Sequence, residues 1–188
     1  MGKITPPHPV KLFVGMLSAE TALFEEMKNR LQDIFGPVDL EGPVWSWEHT
    51  KYYEKEMGAG LKRQFIFFER LINPGEITEI KLRTIDLENK YLKKNPPSPP
   101  FAKEGTGGCK GGRRINLDPG YLDAAKLVLA STKDFSHRIY LDKGIYAEVT
   151  LMYSGKGYQT LPYTFPDYKT GEYHEVFKKA REVYKKQA

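Results

Sequence analysis

Six consecutive apolar residues near the start of the chain, Leu12-Phe13-Val14-Gly15-Met16-Leu17, have the length of one β-strand. A strand with one face in water would alternate apolar and polar side chains, and this run does not alternate. We therefore expect a strand that is covered on both faces and lies centrally in a sheet.

The segments that follow predict helices and strands in turn. Apolar residues recur at helical spacing over residues 23–34, and Gly36-Pro37 would end that helix. Alternation over residues 44–49 predicts a half-buried strand, and residues 64–71 predict another. Asn73-Pro74-Gly75-Glu76 then combines an N-cap residue, a proline at the first helical position and an acidic residue three positions after the cap. It predicts the start of a second helix.

Half of the residues in the stretch 95–112 are proline or glycine, and Phe101 is its only large apolar side chain. Such a stretch buries too little surface to offset its ordering entropy. We expect a disordered insertion within a single α+β domain of residues 10–188, preceded by a mobile tail of residues 1–9. The one cysteine, Cys109, lies in this insertion, which argues against a disulfide framework and favours a cytoplasmic protein.

Beyond the insertion, residues 113–117 read as a strand, and Asp118-Pro119 reads as the N-cap of a nearly enclosed helix that ends near Ala130. The three-residue turn Asp142-Lys143-Gly144 predicts a β-hairpin in which Leu141 pairs with Ile145. A strand over residues 158–161 and a terminal helix over residues 173–184, with a lysine-rich outer face, complete the chain.

The register of the hairpin divides its side chains between two faces. Arg138 stands opposite Glu148 on the polar face, as an exposed cross-strand ion pair would. The polar face also holds Tyr140, Tyr146 and Thr150. The other face is apolar and is expected to be buried; it consists of Ile139, Leu141, Ile145, Ala147, Val149 and Leu151.

The order of these elements predicts an α+β fold. Up to Leu117 the order is β-α-β-β-α-β, as in a ferredoxin-like sheet with helices on one side, and a C-terminal α-β-β-β-α extension follows. The order of the strands within the sheet cannot be read from the sequence.

Six segments carry a resemblance to a known family. They are Lys11-Leu-Phe-Val-Gly-Met-Leu-Ser18, Tyr52-Tyr53, Glu56-Met57-Gly58, Leu61-Lys62-Arg63, Asn116-Leu-Asp-Pro-Gly-Tyr121 and residues 126–140. Together they resemble an uncharacterised bacterial family, domain of unknown function 4416, whose members are sometimes labelled GTP-binding. A phosphate-binding P-loop needs lysine preceded by glycine and followed by serine or threonine. Residues 105–111 have cysteine before the lysine and glycine after it, so they do not meet this pattern.

The formal net charge of +5 favours an anionic partner. Because 24 acidic residues are interleaved with the 29 basic ones, the charge pattern speaks against nucleic acid. No apolar stretch approaches the roughly 20 residues that a membrane span requires, so we expect no membrane partner. The four histidines fall at no metal-ligand spacing, and no pattern identifies a cofactor or an oligomeric state.

Two polar segments, one on each side of the predicted enclosed helix, hold most of the candidate site residues, where a rigid scaffold could aim a loop at a ligand. We assign candidate catalytic roles to Asp118, His137 and Glu148 and ligand-binding roles to Asn116, Tyr121, Ser131, Thr132, Lys133 and Arg138, with no metal ligand. Ordinary structural roles stay open beside these, a helix cap for Asp118 and a cross-strand pair for Arg138 and Glu148.

Three functions remain open from the sequence. The first is binding of a small phosphorylated or carboxylated ligand, with a nucleotide among the candidates. The second is a non-catalytic protein-interaction module, since no catalytic motif is met. The third and weakest is binding of single-stranded nucleic acid through the terminal helix and the aromatic residues Trp45, Trp47, Tyr52 and Tyr53. A concave pocket that joins the two polar segments would favour the first function, and a flat apolar patch the second.

Overall fold

The apolar run lies in strand β1, Val10–Ser18, in which every residue is buried. The computed structural model describes residues 2–48, 57–92, 112–155 and 157–188 of the chain. Within these ranges the chain forms a mixed α/β fold with a nine-stranded antiparallel sheet and three α-helices. Strand β1 is paired along both of its edges, so the expectation of a central strand is confirmed.

The helices are α1 (Ala22–Phe35), α2 (Ile77–Lys90) and α3 (Gly171–Gln187). The other strands are β2 (Val38–Glu41), β3 (Trp45–Ser46), β4 (Lys62–Ile72), β5 (Asn116–Leu122), β6 (Lys126–Ser131), β7 (Ile139–Asp142), β8 (Ile145–Ser154) and β9 (Gly157–Thr160). Short 3₁₀ turns, Pro74–Glu76 and Asp167–Lys169, precede α2 and α3. The strand order is β2-β4-β1-β5-β6-β8-β7, with β3 paired to β4 and β9 paired to β8.

Local sequence signals set several of these boundaries. Asn73 accepts a hydrogen bond from the N–H of Gly75, and Glu76 accepts one from the N–H of Asn73, which completes the predicted capping box. Gly36 ends α1 with a φ of 99°, in the region that favours glycine. The predictions of α1, β4, α2, β9 and α3 are confirmed to within a few residues at their ends.

Helices cover the central strands of the sheet on both faces. Helices α1 and α2 pack against Leu12, Val14 and Met16 on one face. Helix α3 packs against the opposite face, where Phe177 lies with its ring centroid 5.5 Å from that of Phe13 and 4.9 Å from that of Phe65. These two layers explain why β1 is apolar throughout.

One lysine, Lys11, is buried within β1. Its Nζ donates to Asp39 Oδ2 at 2.7 Å, to the carbonyl oxygen of Phe68 at 3.0 Å and to Gln187 Oε1 at 3.0 Å. The end of α3 is thereby tied to the strands at the β2 side of the sheet.

The helix predicted over residues 118–130 is wrong, because these residues form the antiparallel β5–β6 hairpin. Asp123 closes its turn by accepting the backbone N–H groups of Ala125 and Lys126. Leu129 faces the α3 layer and Ala130 faces the α1/α2 layer. The run is therefore apolar because both of its faces are covered, a pattern that periodicity alone does not distinguish from a buried helix.

The second hairpin, β7–β8, has a shorter turn than predicted. Asp142 pairs directly with Ile145, and the turn consists of Lys143 and Gly144, both with positive φ, 50° and 76°. Leu141 is displaced into a bulge, and beyond it the predicted register is retained.

The predicted faces of this hairpin are wrong in part, since Ile145 and Leu151 are buried as expected but four other residues are not as predicted. Ile139 and Leu141, which were expected to be buried, are exposed, and Glu148 and Thr150 are buried instead. Strand β7 is the last in the sheet order, so its side chains lie beyond the helical layers. Glu148 pairs with Leu129 of the α3 layer and shares its covered face.

Two predicted features lie outside the described residues, namely most of the Pro/Gly insertion and the Tyr52-Tyr53 pair. Leu92 and Arg113, on either side of the insertion, form an antiparallel bridge, so these two described positions lie side by side. In the part of the chain that is described, no helix combines the length and the apolar character needed to cross a membrane.

Candidate functional site

Strands β5 and β6 are paired at one end only. Their ladder runs from Leu122 opposite Leu127 to Gly120 opposite Leu129. Beyond Gly120, β5 continues beside β1 while β6 continues beside β8. The two strands therefore diverge and open a fork in the sheet. A side chain at Gly120 would clash with the Val128 carbonyl oxygen, so glycine permits the close approach where the fork begins.

A cavity of about 350 Å³ lies at this fork. It is lined by residues of β4, α2, β5, β6 and β8, by Trp47 after β3, by Arg113 before β5, and by the loops that follow β6 and precede α3. The lining residues with charged side chains are Arg63, Lys81, Arg113, Asp118, Lys133, Arg138, Glu148 and Asp167. We call this space the fork cavity.

Arg63 of β4 is the buried centre of the charged network. Its Nη1 donates to Asp118 Oδ2 at 3.0 Å, and its Nη2 lies 3.4 Å from Asp167 Oδ2. Because β1 lies between β4 and β5, the guanidinium must cross β1 to reach Asp118. It passes Gly15, where a Cβ would lie 3.0 Å from Arg63 Nη1 and 2.9 Å from Phe65 Cε1. The missing side chain at Gly15 makes room for the ion pair.

Opposing effects act on the carboxyl group of Asp118. Burial alone would raise its pKa, but the charges of Arg63 and Lys81 and the hydrogen bonds from Arg63 and Asn116 hold the pKa below its ordinary value. Asn116 Nδ2 donates to Oδ2 at 2.7 Å, and Lys81 Nζ lies 3.9 Å from Oδ1. Asp118 is therefore a carboxylate at neutral pH.

Asp167 is held on the opposite side of Arg63. Its Oδ2 accepts the indole N–H of Trp47 at 3.3 Å as well as the contact from Arg63. The Tyr173 hydroxyl lies beside the same guanidinium without the geometry of a hydrogen bond, and burial raises its pKa. Trp47 is buried, so it offers no open stacking platform for a base.

Residues of α2 support β5 from the opposite face of the sheet. Glu88 Oε1 accepts the backbone N–H of Leu117 at 2.6 Å, and Glu88 Oε2 lies 3.7 Å from Arg113 Nη1. Burial raises the pKa of Glu88, and the charge of Lys81 opposes this rise. Arg113 Nη1 also donates to Asn116 Oδ1 at 2.7 Å. Acidic and basic groups thus alternate at the β5 side of the cavity.

A second ion pair, between Arg138 and Glu148, lies at the β8 side. Arg138 Nε donates to Glu148 Oε2 at 2.7 Å, and the two side chains are only 2% and 1% exposed. Arg138 Nη1 donates to Ser131 Oγ at 2.7 Å and to the carbonyl oxygen of Lys133 at 2.9 Å. The predicted pair is present, but the expectation of an exposed pair is wrong because β6 and the loop after it enclose both charges.

Aromatic rings accompany this second pair. The Arg138 guanidinium carbon lies 4.7 Å from the ring centroid of Phe135 and 5.8 Å from that of Phe165, both of which line the cavity. The faces of these rings attract the positive guanidinium of Arg138. The rings also form an apolar wall of the cavity.

The structure brings together seven of the nine candidate residues. Asn116, Asp118, Ser131, Thr132, Lys133, Arg138 and Glu148 line the fork cavity. His137 is not part of the lining; its Nε2 lies 3.1 Å from Glu148 Oε2, and its ring stacks on Tyr163 at 4.3 Å. Tyr121 packs against the α1/α2 layer instead.

Sequence reasoning missed Arg63, Lys81, Arg113 and Asp167. One of them had a usable signal, since Arg63 alternates with Phe65 and Phe67 on a single face of β4. A charge on an apolar face requires a buried partner. Asp167 lies in a loop, where no periodicity marks it. Across the described ranges, no three His, Cys, Asp or Glu side chains meet as a metal site would require.

The sequence profile of a family described as a domain of unknown function (DUF4416) matches residues 8–184. The chain belongs to this family. The match spans the strands and loops that build the fork cavity. No curated protein matches the chain significantly, and no solved structure does.

A first prediction concerns Gly15. We expect Gly15→Ala to lower the free energy of unfolding by about 1–3 kcal/mol, because the added methyl group overpacks Phe65 and pushes Arg63 away from Asp118. Urea unfolding would measure the loss. Gly171→Ala is the control, since no atom lies within 4 Å of a Cβ at that position. Equal unfolding free energies for the two variants would contradict the close contact with Arg63.

A second prediction follows from the lowered pKa of Asp118. Its charge stabilises the folded chain above the unfolded-state pKa, roughly pH 4, and this contribution disappears as the pH falls through the lower folded-state pKa. The difference in unfolding free energy between wild type and Asp118→Asn should therefore be larger at about pH 6 than at about pH 3. Asp86→Asn, at an exposed position of α2, controls for the loss of a negative charge. If the difference in unfolding free energy between wild type and Asp118→Asn does not change with pH, the pKa of Asp118 is not lowered in the folded chain.

Proposed function

We propose that the fork cavity binds a small phosphorylated or carboxylated molecule, with a nucleotide among the candidates. The main support for this proposal is that Arg138 Nη2 has unused hydrogen-bond donors. Glu148, Ser131 and the Lys133 carbonyl occupy Nε and Nη1, whereas Nη2 has no hydrogen bond to any described residue. A buried guanidinium that lines a cavity with unused N–H donors is well suited to hold an oxyanion.

The charges of the lining also favour an anionic ligand. Among the described residues, five basic and three acidic side chains line the cavity, an excess of two positive charges. Including the neighbouring Glu88 leaves an excess of one. Among the basic groups, Arg63, Lys81 and Arg138 are buried, so their attraction for an anion is screened less than that of the exposed Lys133.

The size and the apolar wall of the cavity limit the ligand. A volume of about 350 Å³ lies near the lower end of the range for small-molecule sites. Phe135, Phe165 and Leu129 supply apolar surface beside the charged groups. The ligand should therefore be a small organic anion with a less polar part.

The proposal is limited to binding. Both carboxylate oxygens of Glu148 already accept hydrogen bonds, from Thr150 and from Arg138. His137 lies outside the cavity lining, and the lowered pKa of Asp118 makes it a weak base. None of the three candidate catalytic residues combines a place in the cavity lining with an unoccupied group of suitable basicity.

We also propose that β1, α1, β2, β4, α2 and β5 form a ferredoxin-like unit. Three observations support it: the strand order β2-β4-β1-β5, the antiparallel pairing of these strands, and the packing of α1 and α2 on the same face. Strands β6–β9 would then extend the sheet at β5, which places the fork cavity at the junction between the unit and its extension.

Ligand binding can be tested by thermal shift and calorimetry with inorganic phosphate, citrate, AMP and GMP. We expect at least one compound to bind, adding about 2.7 kcal/mol of stability at 100 times its dissociation constant. Arg138→Lys, compared at matched folded fraction, should weaken binding by about tenfold or more, because one ammonium cannot replace the planar guanidinium. Arg70→Lys, at a side chain that is 63% exposed, is the matched control. Unchanged affinity in Arg138→Lys, or no binding of any compound, would overturn the proposal.

A second candidate function, self-association, is favoured by strand β7. This edge strand exposes Ile139, Tyr140 and Leu141, by 72%, 56% and 39%. Antiparallel pairing with β7 of a second copy, centred on Tyr140, would place Ile139 opposite Leu141 and continue the sheet across the dimer. Sedimentation should then detect a concentration-dependent dimer that Ile139→Lys abolishes. A wild-type protein that stays monomeric at every concentration tested would exclude this function.

A further inference from the structure

The fork cavity offers unused hydrogen-bond acceptors as well as unused donors. Asp118 receives both of its hydrogen bonds, from Arg63 and Asn116, on Oδ2. Among the described residues, the one cation near its Oδ1 is Lys81 Nζ at 3.9 Å, which is longer than a hydrogen bond. A carboxylate has about four acceptor sites, so half of this group remains available on the cavity side.

Asp167 shows the same imbalance. Its two side-chain contacts, from Trp47 at 3.3 Å and Arg63 at 3.4 Å, both fall on Oδ2 and both are long. Its Oδ1 accepts no hydrogen bond from the described residues, although the side chain is only 6% exposed and lines the cavity. This oxygen is not among the buried polar atoms that lack a partner, so it remains accessible to a hydrogen-bond donor from a ligand or water.

The two carboxylates share the Arg63 guanidinium, and the Oδ1 atom of each accepts no hydrogen bond from the described residues. Arg63 Nε and the hydroxyls of Tyr168 and Tyr173 beside them also lack a hydrogen-bond partner. Arg63 contacts both Asp118 and Asp167, and Lys81 adds a second positive charge 3.9 Å from Asp118 Oδ1. An anionic group placed against these oxygens would meet like charges, whereas Arg138 and Ser131 at the β8 side would attract it. The cavity is therefore polarised, with donors at the β8 side and acceptors beside Arg63.

We infer that the ligand is zwitterionic, with an amino group that donates to Asp118 and Asp167 and an anionic group that accepts from Arg138. This inference rests on the proposed function, since it assigns the second half of the same ligand. Charged Asp118 can only accept hydrogen bonds, so the matching ligand group must donate. A positive amino group does so, and its hydrogen bonds to a carboxylate are charge-assisted.

Pairs of small molecules that differ in one amino group test the inference. Calorimetry at neutral pH compares phosphoethanolamine with ethyl phosphate, and aspartate with succinate. In wild type we expect the amino compound of at least one pair to bind about tenfold more tightly or better, the usual value of a hydrogen bond to a charged group. Asp167→Asn should reduce this ratio to near one while it leaves binding of the plain anion equal or stronger.

Asp118→Asn provides a second variant if Asp167→Asn folds poorly, and each variant is compared at matched folded fraction. Asp86→Asn, on an exposed helix surface, should keep the wild-type ratio. If plain anions bind as tightly as their amino partners, the inference fails while the proposed anion site stands. If neither member of either pair binds, the inference is overturned, whereas the anion site is overturned only if inorganic phosphate, citrate, AMP and GMP also fail to bind.

Discussion

The ion pair that reaches across β1 from Arg63 to Asp118 is the constraint on which the site depends. It connects β4 to β5 across β1, and it requires a residue without a side chain at position 15. Replacing a buried pair by apolar residues often costs little stability, whereas removing one partner is expensive. The pair therefore contributes mainly by fixing where Asp118 and Asp167 lie, and a cavity with charged walls follows from that fixed geometry.

The fork between β5 and β6 gives this network its access. A continuous sheet would bury Arg63 and Asp118 under the α3 layer with no space beside them. Because the ladder stops at Gly120, Lys81 reaches the same cavity from α2, on the opposite face of the sheet. Side chains from both layers thus converge on one space, which neither face could provide alone.

Sequence patterns identified most of the fold where the signal is local. The capping box at Asn73, the stop at Gly36 and the apolar run of β1 each depend on a few neighbouring residues. Residues 118–130 were wrongly predicted as a helix, because strands that are covered on both faces have the same apolar run as an enclosed helix. The exposure of β7 was not predicted either, since its position at the edge of the sheet depends on the order of all the strands and not on its own sequence.

The sequence identified only those residues of the candidate site that lie close together along the chain. Polar residues clustered in sequence, such as Ser131 to Arg138, were visible before the fold was known. Arg63, Lys81 and Asp167 come from distant parts of the chain and meet the cluster only through the crossing of β1 and the fork. Long-range pairing, which sets these positions, leaves little trace in a single sequence.

The packing of α3 has a consequence for biosynthesis. Phe13, Phe65 and Phe67 are covered by a helix that lies more than a hundred residues later in the chain. While the ribosome is still translating the middle of the protein, this aromatic face has no cover, although α1 and α2 are already available for the other face. The nascent chain thus carries a half-finished sheet with an exposed apolar surface, the kind of intermediate that chaperones bind.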